Sequence, residues 1–433
     1  MRLSRVAAVV AAVALVTSTV GCTSDSDSTS DSGSGRADLT FWSWAPNMDK
    51  VVELWNAKNP DTHVTFSKQA GGDDMLTKLL TAAKAGEAPD LAQAEYQALP
   101  TLVSNDVVAD VAKYVGDAKD RFAAGVWQQV TLGTKAVYAV PEDSGPMMLY
   151  YRSDLFERYG LTVPTTWAQF ADAARQLRTK DPTKYLTTFS TADPGWFSGL
   201  AQQAGASWWG INGESWKVTV NDEATKKVAT YWGDLVSSGA VDDQPMYTPE
   251  WNKALNDGTL LAWPSAIWAP GVLTGNAPDT KGKWAMAPLP QWAAGDQRTG
   301  SWGGSSTAVT KNSKHKEAAA KFAVWLNTDP AATSALVEQA GIYPAARDAQ
   351  SGPALASPPA FFANQADFYP QAKRIADTAV GFTWGPNVNV TYSTYKDAFG
   401  KAVSNHTSFA AAVDQMQEAT IGDLRKNGFK IAN

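Results

Sequence analysis

The chain has 433 residues, of which 44% are hydrophobic and 18% are charged, and its formal net charge is −6. This composition is typical of a soluble globular protein of two or three domains, and it excludes collagen-like, coiled-coil and wholly disordered chains. The acidic balance argues against a nucleic-acid partner, and three histidines and one cysteine are too few for a Cys/His zinc cluster. Because the chain also carries 18 tryptophans, we expect a binder of uncharged polar ligands, with no metal and no cofactor.

The first 21 residues predict a bacterial export signal. The apolar run at 6–16 follows two arginines, and it is too short to span a bilayer but suits the core of a signal peptide. Residues 19–22 (TVGC) resemble a lipobox, in which cleavage precedes the cysteine and lipid is attached to its sulfur. The alternative is that Cys22 is a free thiol. We expect 22–36 to be a lipid anchor and flexible tether, which would hold the protein on the outer face of the cytoplasmic membrane.

The rest of the chain alternates predicted strands and helices, which indicates an α/β fold with parallel strands covered by helices. On the helices we expect caps at Asn47 and Asn221 and a buried position for Leu54. In chain order the predicted elements are a strand at 39–42, a helix after Asn47, a strand at 63–67, a helix at 73–85, strands at 91–94, 136–140 and 147–151, and helices at 153–159, 165–177, 221–237 and 316–327.

Ligands of open α/β sheets bind beyond the carboxyl ends of the strands or between domains. This rule selects the polar and aromatic residues that follow three of the predicted strands. They are Trp42 and Trp44, Glu95 and Tyr96, and Glu142 and Asp143.

Several segments resemble the extracellular solute-binding proteins of ABC importers, and more narrowly their family 1, maltose-binding-protein-like branch. Residues 141–156 (PEDSGPMMLYYRSDLF) are similar to the first crossing between the two lobes of that family. Residues 301–306 (SWGGSS) and 316–322 (KEAAAKF) are similar to the second crossing and the helix after it. Residues 159–167 (YGLTVPTTW) resemble the start of a helix in lobe two, and 88–91 (APDL) also match.

The resemblance implies a periplasmic-binding-protein type II fold, in which two discontinuous α/β lobes are joined by a hinge. It places lobe one at 37–143 and 304–344, and lobe two at 144–303 and 345–433. It also implies a monomer that captures a mono- or oligosaccharide, closes around it by hinge motion and delivers it unchanged to an ABC permease.

The resemblance further implies nine ligand-facing positions. A sugar offers apolar C–H faces and a rim of hydroxyls, which suit aromatic planes and carboxylates respectively. The nine positions are Trp44, Glu95 and Tyr96 in lobe one, Asp143 at the first crossing, Trp196 and Trp268 in lobe two, Trp302 and Gly303 at the second crossing, and Trp384 in the last segment. Four other tryptophans lie on apolar helical faces and are assigned to packing: Trp55, Trp167, Trp232 and Trp325.

Two other functions stay open from the residues alone. A receptor of the same fold for a polyamine or another small polar solute would also use acids and aromatic rings. A secreted glycoside hydrolase would need two carboxyls about 5–9.5 Å apart across the scissile bond. Glu142 and Asp143 are adjacent, but neighbours in an extended chain point apart, and Gly-x-Ser-x-Gly, His-Glu-x-x-His and Walker motifs are absent. We therefore do not expect an enzyme.

Overall fold

The computed structural model of the protein describes residues 36–432. The predicted signal peptide at 1–21 and the predicted anchor and tether at 22–36, apart from Arg36, lie outside the described residues. Within the part that is described, no helix is both long enough and apolar enough to cross a membrane.

Residues 36–432 contain ten strands in three sheets. The strands are β1 (Ala37–Ser43), β2 (Thr62–Lys68), β3 (Leu91–Glu95), β4 (Ala139–Pro141), β5 (Met147–Arg152), β6 (Trp209–Asn212), β7 (Ser215–Val218), β8 (Ala262–Ala266), β9 (Trp284–Pro288) and β10 (Ser305–Val309). The largest sheet has the order β2-β1-β3-β10-β4, in which β1 pairs in parallel with β2 and β3, and β10 pairs antiparallel with β3 and β4. A second sheet has the order β8-β5-β9 and is antiparallel, and β6 and β7 form a hairpin.

Fifteen α-helices occur in the same part of the chain. They are α1 (Met48–Asn56), α2 (Gly72–Ala85), α3 (Leu99–Ser104), α4 (Ala124–Thr131), α5 (Ser153–Tyr159), α6 (Trp167–Lys180), α7 (Pro194–Ala204), α8 (Glu223–Ser237), α9 (Pro249–Asn256), α10 (Ala269–Asn276), α11 (Lys316–Thr328), α12 (Pro330–Ala340), α13 (Phe368–Ala376), α14 (Val388–Asn405) and α15 (Phe409–Lys426).

The helix boundaries follow local chemistry and differ in places from the sequence analysis. Thr166 caps α6 through a capping box with Gln169, so this helix begins at Trp167 and not at the predicted 165. The predicted cap at Asn221 is wrong, because the neighbouring Asp222 accepts the N–H of Thr225 and caps α8. Asn47 precedes α1 but makes no side-chain cap, since its amide donates to the carbonyl oxygen of Gln339 at 2.8 Å. Leu54, expected to be buried, is 38% exposed.

The five-stranded sheet is built from two separated stretches of chain, and the second sheet lies between them in sequence. Four strands of the five-stranded sheet come from residues before 142, and the fifth, β10, is contributed from beyond residue 300. All three strands of the second sheet lie in the intervening stretch. This arrangement is the discontinuous two-lobed α/β architecture that the resemblance implied, whereas the limits of each lobe stay a prediction.

Aromatic side chains pack helices against the five-stranded sheet and, in lobe two, against one another. Beside the five-stranded sheet, Phe322 of α11 lies edge-on to Phe41 of β1 and to Trp55 of α1, with ring centroids 5.6 and 5.4 Å apart. In lobe two, Trp167 of α6 and Trp232 of α8 are buried against each other at 5.9 Å. These contacts agree with the packing role that the apolar helical faces predict.

The crossings between the two sheets are held together by backbone pairing. Pro146 on the first crossing forms an antiparallel bridge with Ser301 on the second. The Trp302 N–H donates to the Gly145 carbonyl oxygen at 2.8 Å, and a Cβ at Gly145 would lie 2.2 Å from the Trp302 carbonyl oxygen. Only glycine permits this approach, so Gly145 fixes where Trp302 enters the region between the sheets.

Candidate functional site

A cavity of about 230 Å³ lies between the two sheets at the carboxyl ends of β1 and β3. Its lining includes five of the nine predicted ligand-facing positions: Trp44, Glu95, Asp143, Trp268 and Gly303. We call it the inner cavity. Parallel strands end at the same edge of a sheet, which is why loops distant in sequence meet here.

Asp143 presents a carboxylate that is tied to the second crossing. The backbone N–H and the hydroxyl of Ser305 both donate to its Oδ1, the hydroxyl at 2.8 Å. Burial raises the pKa of Asp143, and the two bonds from Ser305 oppose that rise. The side chain is therefore held in one orientation, with Oδ1 occupied by the start of β10.

A buried polar network lies under the cavity and fixes the loop that carries Trp44. Gln93 Oε1 accepts from the Ser43 hydroxyl at 2.7 Å and from the Trp44 N–H at 3.2 Å. Gln93 Nε2 donates to Glu142 Oε1 at 2.8 Å and to the Ser305 hydroxyl at 3.0 Å. Such a network of satisfied partners holds the loop in place from below.

Glu142 belongs to this network and does not line the inner cavity. It is 1% exposed, and Thr307 donates to its Oε2 at 2.7 Å. Burial, followed by the charge of Asp143, raises the pKa of Glu142 to about 8, while the bond from Thr307 opposes the rise. The two adjacent carboxyls have different partners and surroundings, as expected for neighbours in an extended chain.

Trp268 and Trp302 form a pair on the side of the cavity that belongs to lobe two. Trp268 is half-buried, and its Nε1–H donates to the Trp302 carbonyl oxygen at 3.0 Å. The two rings lie 4.6 Å apart at 72°, and Trp302 also contacts Trp263 edge-on at 6.2 Å. Trp302 is only 9% exposed, so it supports Trp268 and offers little surface itself. Gly303 has φ 75°, and a Cβ there would approach Trp268 Nε1 to 3.4 Å.

The inner cavity has an acidic lining. Glu95 is half-buried, and its Oε2 accepts from Gln97 Nε2 at 2.8 Å. Together with Asp143 it supplies two carboxyl groups, whereas neither lysine nor arginine occurs among the described residues that line this cavity. The lining suits hydroxyl donors or cations and disfavours an anion.

Tyr96 does not line the inner cavity, although Glu95 beside it does. It is buried, its hydroxyl donates to the Asp143 carbonyl oxygen at 2.8 Å, and it lines a separate cavity of about 360 Å³ that also includes Gln129. Burial and the charges of Asp143 and Glu142 raise its pKa well above the ordinary value. The bond to Asp143 makes Tyr96 a support of the first crossing, and its ligand contact stays a prediction.

Trp196 is a core residue in this structure, contrary to the predicted ligand contact. Its side chain has no exposed surface, and its Nε1–H donates to the Pro264 carbonyl oxygen at 2.9 Å. Its ring lies 5.0 Å from that of Trp232 and 5.6 Å from that of Phe189. The residue falls in the first turn of α7, which directs it into the interior of lobe two.

Trp384 is also placed differently from the prediction. It is 8% exposed, its Nε1–H donates to Gln129 Oε1 at 3.2 Å, and Phe382 packs edge-on to it at 4.7 Å. It is absent from the lining of the inner cavity. The residue therefore links the loop before α14 to α4.

The sequence analysis missed two tyrosines in this region. Tyr247 has φ 66° and is 41% exposed, and its ring contacts Trp251 at 5.3 Å and Trp302 at 6.4 Å. Tyr343 lines the inner cavity although its ring is buried, and its hydroxyl has no hydrogen-bond partner among the described residues. Tyr247 precedes Thr248, the N-cap of α9, and Tyr343 follows Gly341, which ends α12. These helix ends are the only feature of the sequence that could have pointed to the two tyrosines.

Comparison with known proteins shows which family has this architecture. The chain matches the model of the bacterial extracellular solute-binding protein family over residues 42–333. It is 28% identical over 304 residues to an arabinooligosaccharide-binding protein of Bacillus subtilis, covering 67% of this chain and 69% of the relative. It is 25% identical to an arabinooligosaccharide-binding protein of Halalkalibacterium halodurans, covering 77% and 76%.

A solved structure agrees with these matches. The galacto-N-biose/lacto-N-biose I-binding protein of an ABC transporter from Bifidobacterium longum, in complex with lacto-N-biose, superposes with a TM-score of 0.84. It is 29% identical and covers 92% of this chain and 100% of its own. The fold is thus the two-lobed periplasmic-binding-protein type. With the family match extending over more than half of its length, this chain belongs to the bacterial extracellular solute-binding proteins.

Proposed function

We propose that this protein is the substrate-binding lipoprotein of an ABC sugar importer, which captures a neutral mono- or oligosaccharide between its lobes and delivers it chemically unchanged. One observation carries the proposal. The inner cavity joins indoles from the two lobes, Trp44 and Trp268, with the carboxyl groups of Glu95 and Asp143. We propose these four residues and Gly303 as the ligand-contacting set.

This set offers what a sugar requires. The half-buried indoles of Trp44 and Trp268 can pack against apolar C–H faces, a contact worth about 0.5–1.5 kcal/mol beyond the area buried. Carboxylates accept hydroxyl hydrogens, and such bonds contribute about 1.5–3 kcal/mol each. Micromolar affinity corresponds to about −8 kcal/mol, so several of these contacts must act together. The placement of the set between two lobes allows that on closure.

The acidic lining of the inner cavity would also suit a cationic solute, which is the alternative ligand. Carboxylates and aromatic rings also suit a polyamine. The similar proteins favour a sugar, since they bind arabino-oligosaccharides and lacto-N-biose. A hydrolase is disfavoured, because Glu142 is enclosed by the sheet and Asp143 Oδ1 is occupied by Ser305.

We further propose that Cys22 carries lipid and that the tether at 22–36 holds the monomer beside its permease on the outer face of the membrane. The support is the TVGC sequence behind an apolar run of signal-peptide length. Two or more acyl chains would make the attachment stable.

Isothermal titration with neutral mono- and oligosaccharides, with spermidine and with glycerol phosphate tests the proposed function, alongside an assay for released reducing ends. We expect a saccharide to bind without turnover, and Trp44→Ala and Trp268→Ala to weaken its binding at least tenfold. Trp216→Ala is the matched control, since Trp216 is half-buried but lies in the β6–β7 hairpin outside the inner cavity. Binding of spermidine alone, or release of new reducing ends, would contradict the proposal.

A further inference from the structure

A cavity of about 410 Å³ lies within lobe two, apart from the inner cavity. Its lining is drawn from 163–165 before α6, from 287–299 at and after β9, and from 371–378 at and after α13. We call it the lateral cavity. None of the residues that line it also lines the inner cavity. Its volume falls within the roughly 300–1,000 Å³ of small-molecule sites, so it has room for a second ligand.

The walls of the lateral cavity are joined to one another by backbone hydrogen bonds. The Gln291 N–H donates to the Thr165 carbonyl oxygen at 2.9 Å, which joins the loop after β9 to the segment before α6. The Thr299 N–H donates to the Thr378 carbonyl oxygen at 3.2 Å, and the Val380 N–H donates to the Thr299 carbonyl oxygen at 2.9 Å. These two bonds join the same loop to the segment after α13. The cavity is therefore formed before any ligand binds, as small-molecule sites usually are.

Part of the lining is aliphatic and buried. Leu289 and Ile375 are 1% and 5% exposed, and Val163, Pro164 and Ala287 add further apolar surface. No aromatic side chain occurs among the described residues of this lining, so it lacks the ring faces that would pack against a sugar. The lining suits the apolar body of a small organic molecule.

Two exposed arginines, Arg298 and Arg374, line the same cavity. Arg298 has neither an ion pair nor a side-chain hydrogen bond among the described residues, and Arg374 Nη2 approaches Asp367 Oδ2 only to 3.8 Å. Asp296 is the one acidic residue of the described lining, so two arginines against one aspartate leave a net charge of +1. The inner cavity has the opposite character, since its described lining holds carboxyl groups and neither lysine nor arginine. Guanidinium groups bind carboxylates through charge-assisted hydrogen bonds.

Two buried glutamines fix the backbone at Arg298. Gln291 Oε1 accepts from the Arg298 N–H at 3.0 Å, and Gln291 Nε2 donates to the Arg298 carbonyl oxygen at 3.0 Å. Gln203 Nε2 donates to the same carbonyl oxygen at 3.1 Å. Gln291 and Gln203 are 9% and 2% exposed. The point from which the guanidinium extends is therefore set in the free protein, which lowers the ordering cost of binding.

We propose that the lateral cavity binds a small organic carboxylate. Its apolar body packs against Leu289 and Ile375, and its carboxylate pairs with Arg298 and Arg374. This site goes beyond the proposed function, because it lies in one lobe, shares no lining residue with the inner cavity and takes a ligand of different chemistry.

Calorimetric titration with 2-naphthoate, with its neutral amide 2-naphthamide and with acetate tests the site. We expect 2-naphthoate to bind at a single site, at least tenfold more tightly than the amide, which lacks the charge, and than acetate, which lacks the apolar body. Arg298→Gln should weaken 2-naphthoate binding at least fivefold, and the double variant with Arg374→Gln should weaken it further. Arg175→Gln is the matched control and should leave the affinity within twofold, because Arg175 is exposed on α6 and lies outside the lining. A thermal melt checks that each variant is folded.

Equal affinities for 2-naphthoate and 2-naphthamide, or unchanged affinity in the double arginine variant, would overturn the site. Absence of 2-naphthoate binding at millimolar concentration would also overturn it. So would loss of that binding in Trp268→Ala, because the carboxylate would then occupy the inner cavity. None of these results depends on a saccharide, so failure of this inference is distinguishable from failure of the proposed function.

Discussion

Glu142 gives the protein a pH-dependent stability that one substitution should remove. The five-stranded sheet encloses the carboxyl group. Its described hydrogen-bond partners, Gln93 and Thr307, are uncharged. Burial and the charge of Asp143 raise its pKa from 4.5 to about 8. Between these two values the folded protein holds a proton that the unfolded chain has released. Stability is therefore greatest below the unfolded pKa, and it falls as the pH rises toward 8.

The size of the effect follows from the shift. One unit of pKa corresponds to 1.36 kcal/mol, and half of the folded-state carboxyls are already ionised at pH 8, so the contribution of Glu142 should fall by about 2 kcal/mol between pH 6 and pH 8. Glu142→Gln removes the titration and keeps both hydrogen-bond partners: its amide oxygen can accept from Gln93, and its amide N–H can donate to Thr307, which reverses the direction of that bond. The variant should exceed the wild type already at pH 6, and its advantage should grow by about 2 kcal/mol by pH 8. Asp143, whose pKa is also raised by burial, titrates in both proteins.

Urea denaturation of both proteins at pH 6, 7 and 8 measures this difference. Glu53→Gln is the matched control, because Glu53 is exposed on α1. Parallel losses of stability with pH in the wild type and in Glu142→Gln would refute the assignment of a protonated Glu142 under the site.

Three further predictions address the core, the crossing and the anchor. Trp196→Phe should lower the free energy of unfolding by about 1–3 kcal/mol and leave saccharide affinity within twofold, as thermal melts and titration would show; lost affinity at unchanged stability would restore Trp196 to the binding site. Gly145→Ala should cost about 1–3 kcal/mol in urea denaturation because its Cβ would meet the Trp302 carbonyl oxygen, whereas Gly271→Ala, with open space around it, should not; equal costs would contradict the close approach. Cys22→Ser should move the protein from the membrane fraction to the soluble fraction or the medium, and retention at the membrane would contradict lipid attachment.

The fold could be predicted from sequence because periodicity and helix ends are local signals. The predicted strand at 39–42 falls within β1, and the predicted helix at 153–159 matches α5. Gly160 ends α5 in a left-handed conformation, as a terminal glycine predicts. Leu54 shows the limit of such signals. Its spacing fits the apolar face of α1, but the neighbouring elements cover only part of that face.

From the residue pattern alone, the lining of the inner cavity could be predicted only at the ends of strands. Trp44, Glu95 and Asp143 reach it because β1, β3 and β4 end at one edge of a sheet, whereas Trp268 and Gly303 were predicted through the family resemblance. The sequence could not show whether Trp196 is a ligand contact or a core residue, since a tryptophan after Pro-Gly suits a loop as well as the first turn of a helix. Tyr343 depends on contacts with distant segments such as α13, which no local pattern specifies.

A crystal structure of the protein with its tightest-binding saccharide tests the central claim most directly. The account predicts an intact sugar chain in the inner cavity, in contact with the indoles of Trp44 and Trp268 and with the carboxyl groups of Glu95 and Asp143. A saccharide bound elsewhere while that cavity stays empty, or a cleaved sugar within it, would contradict the account.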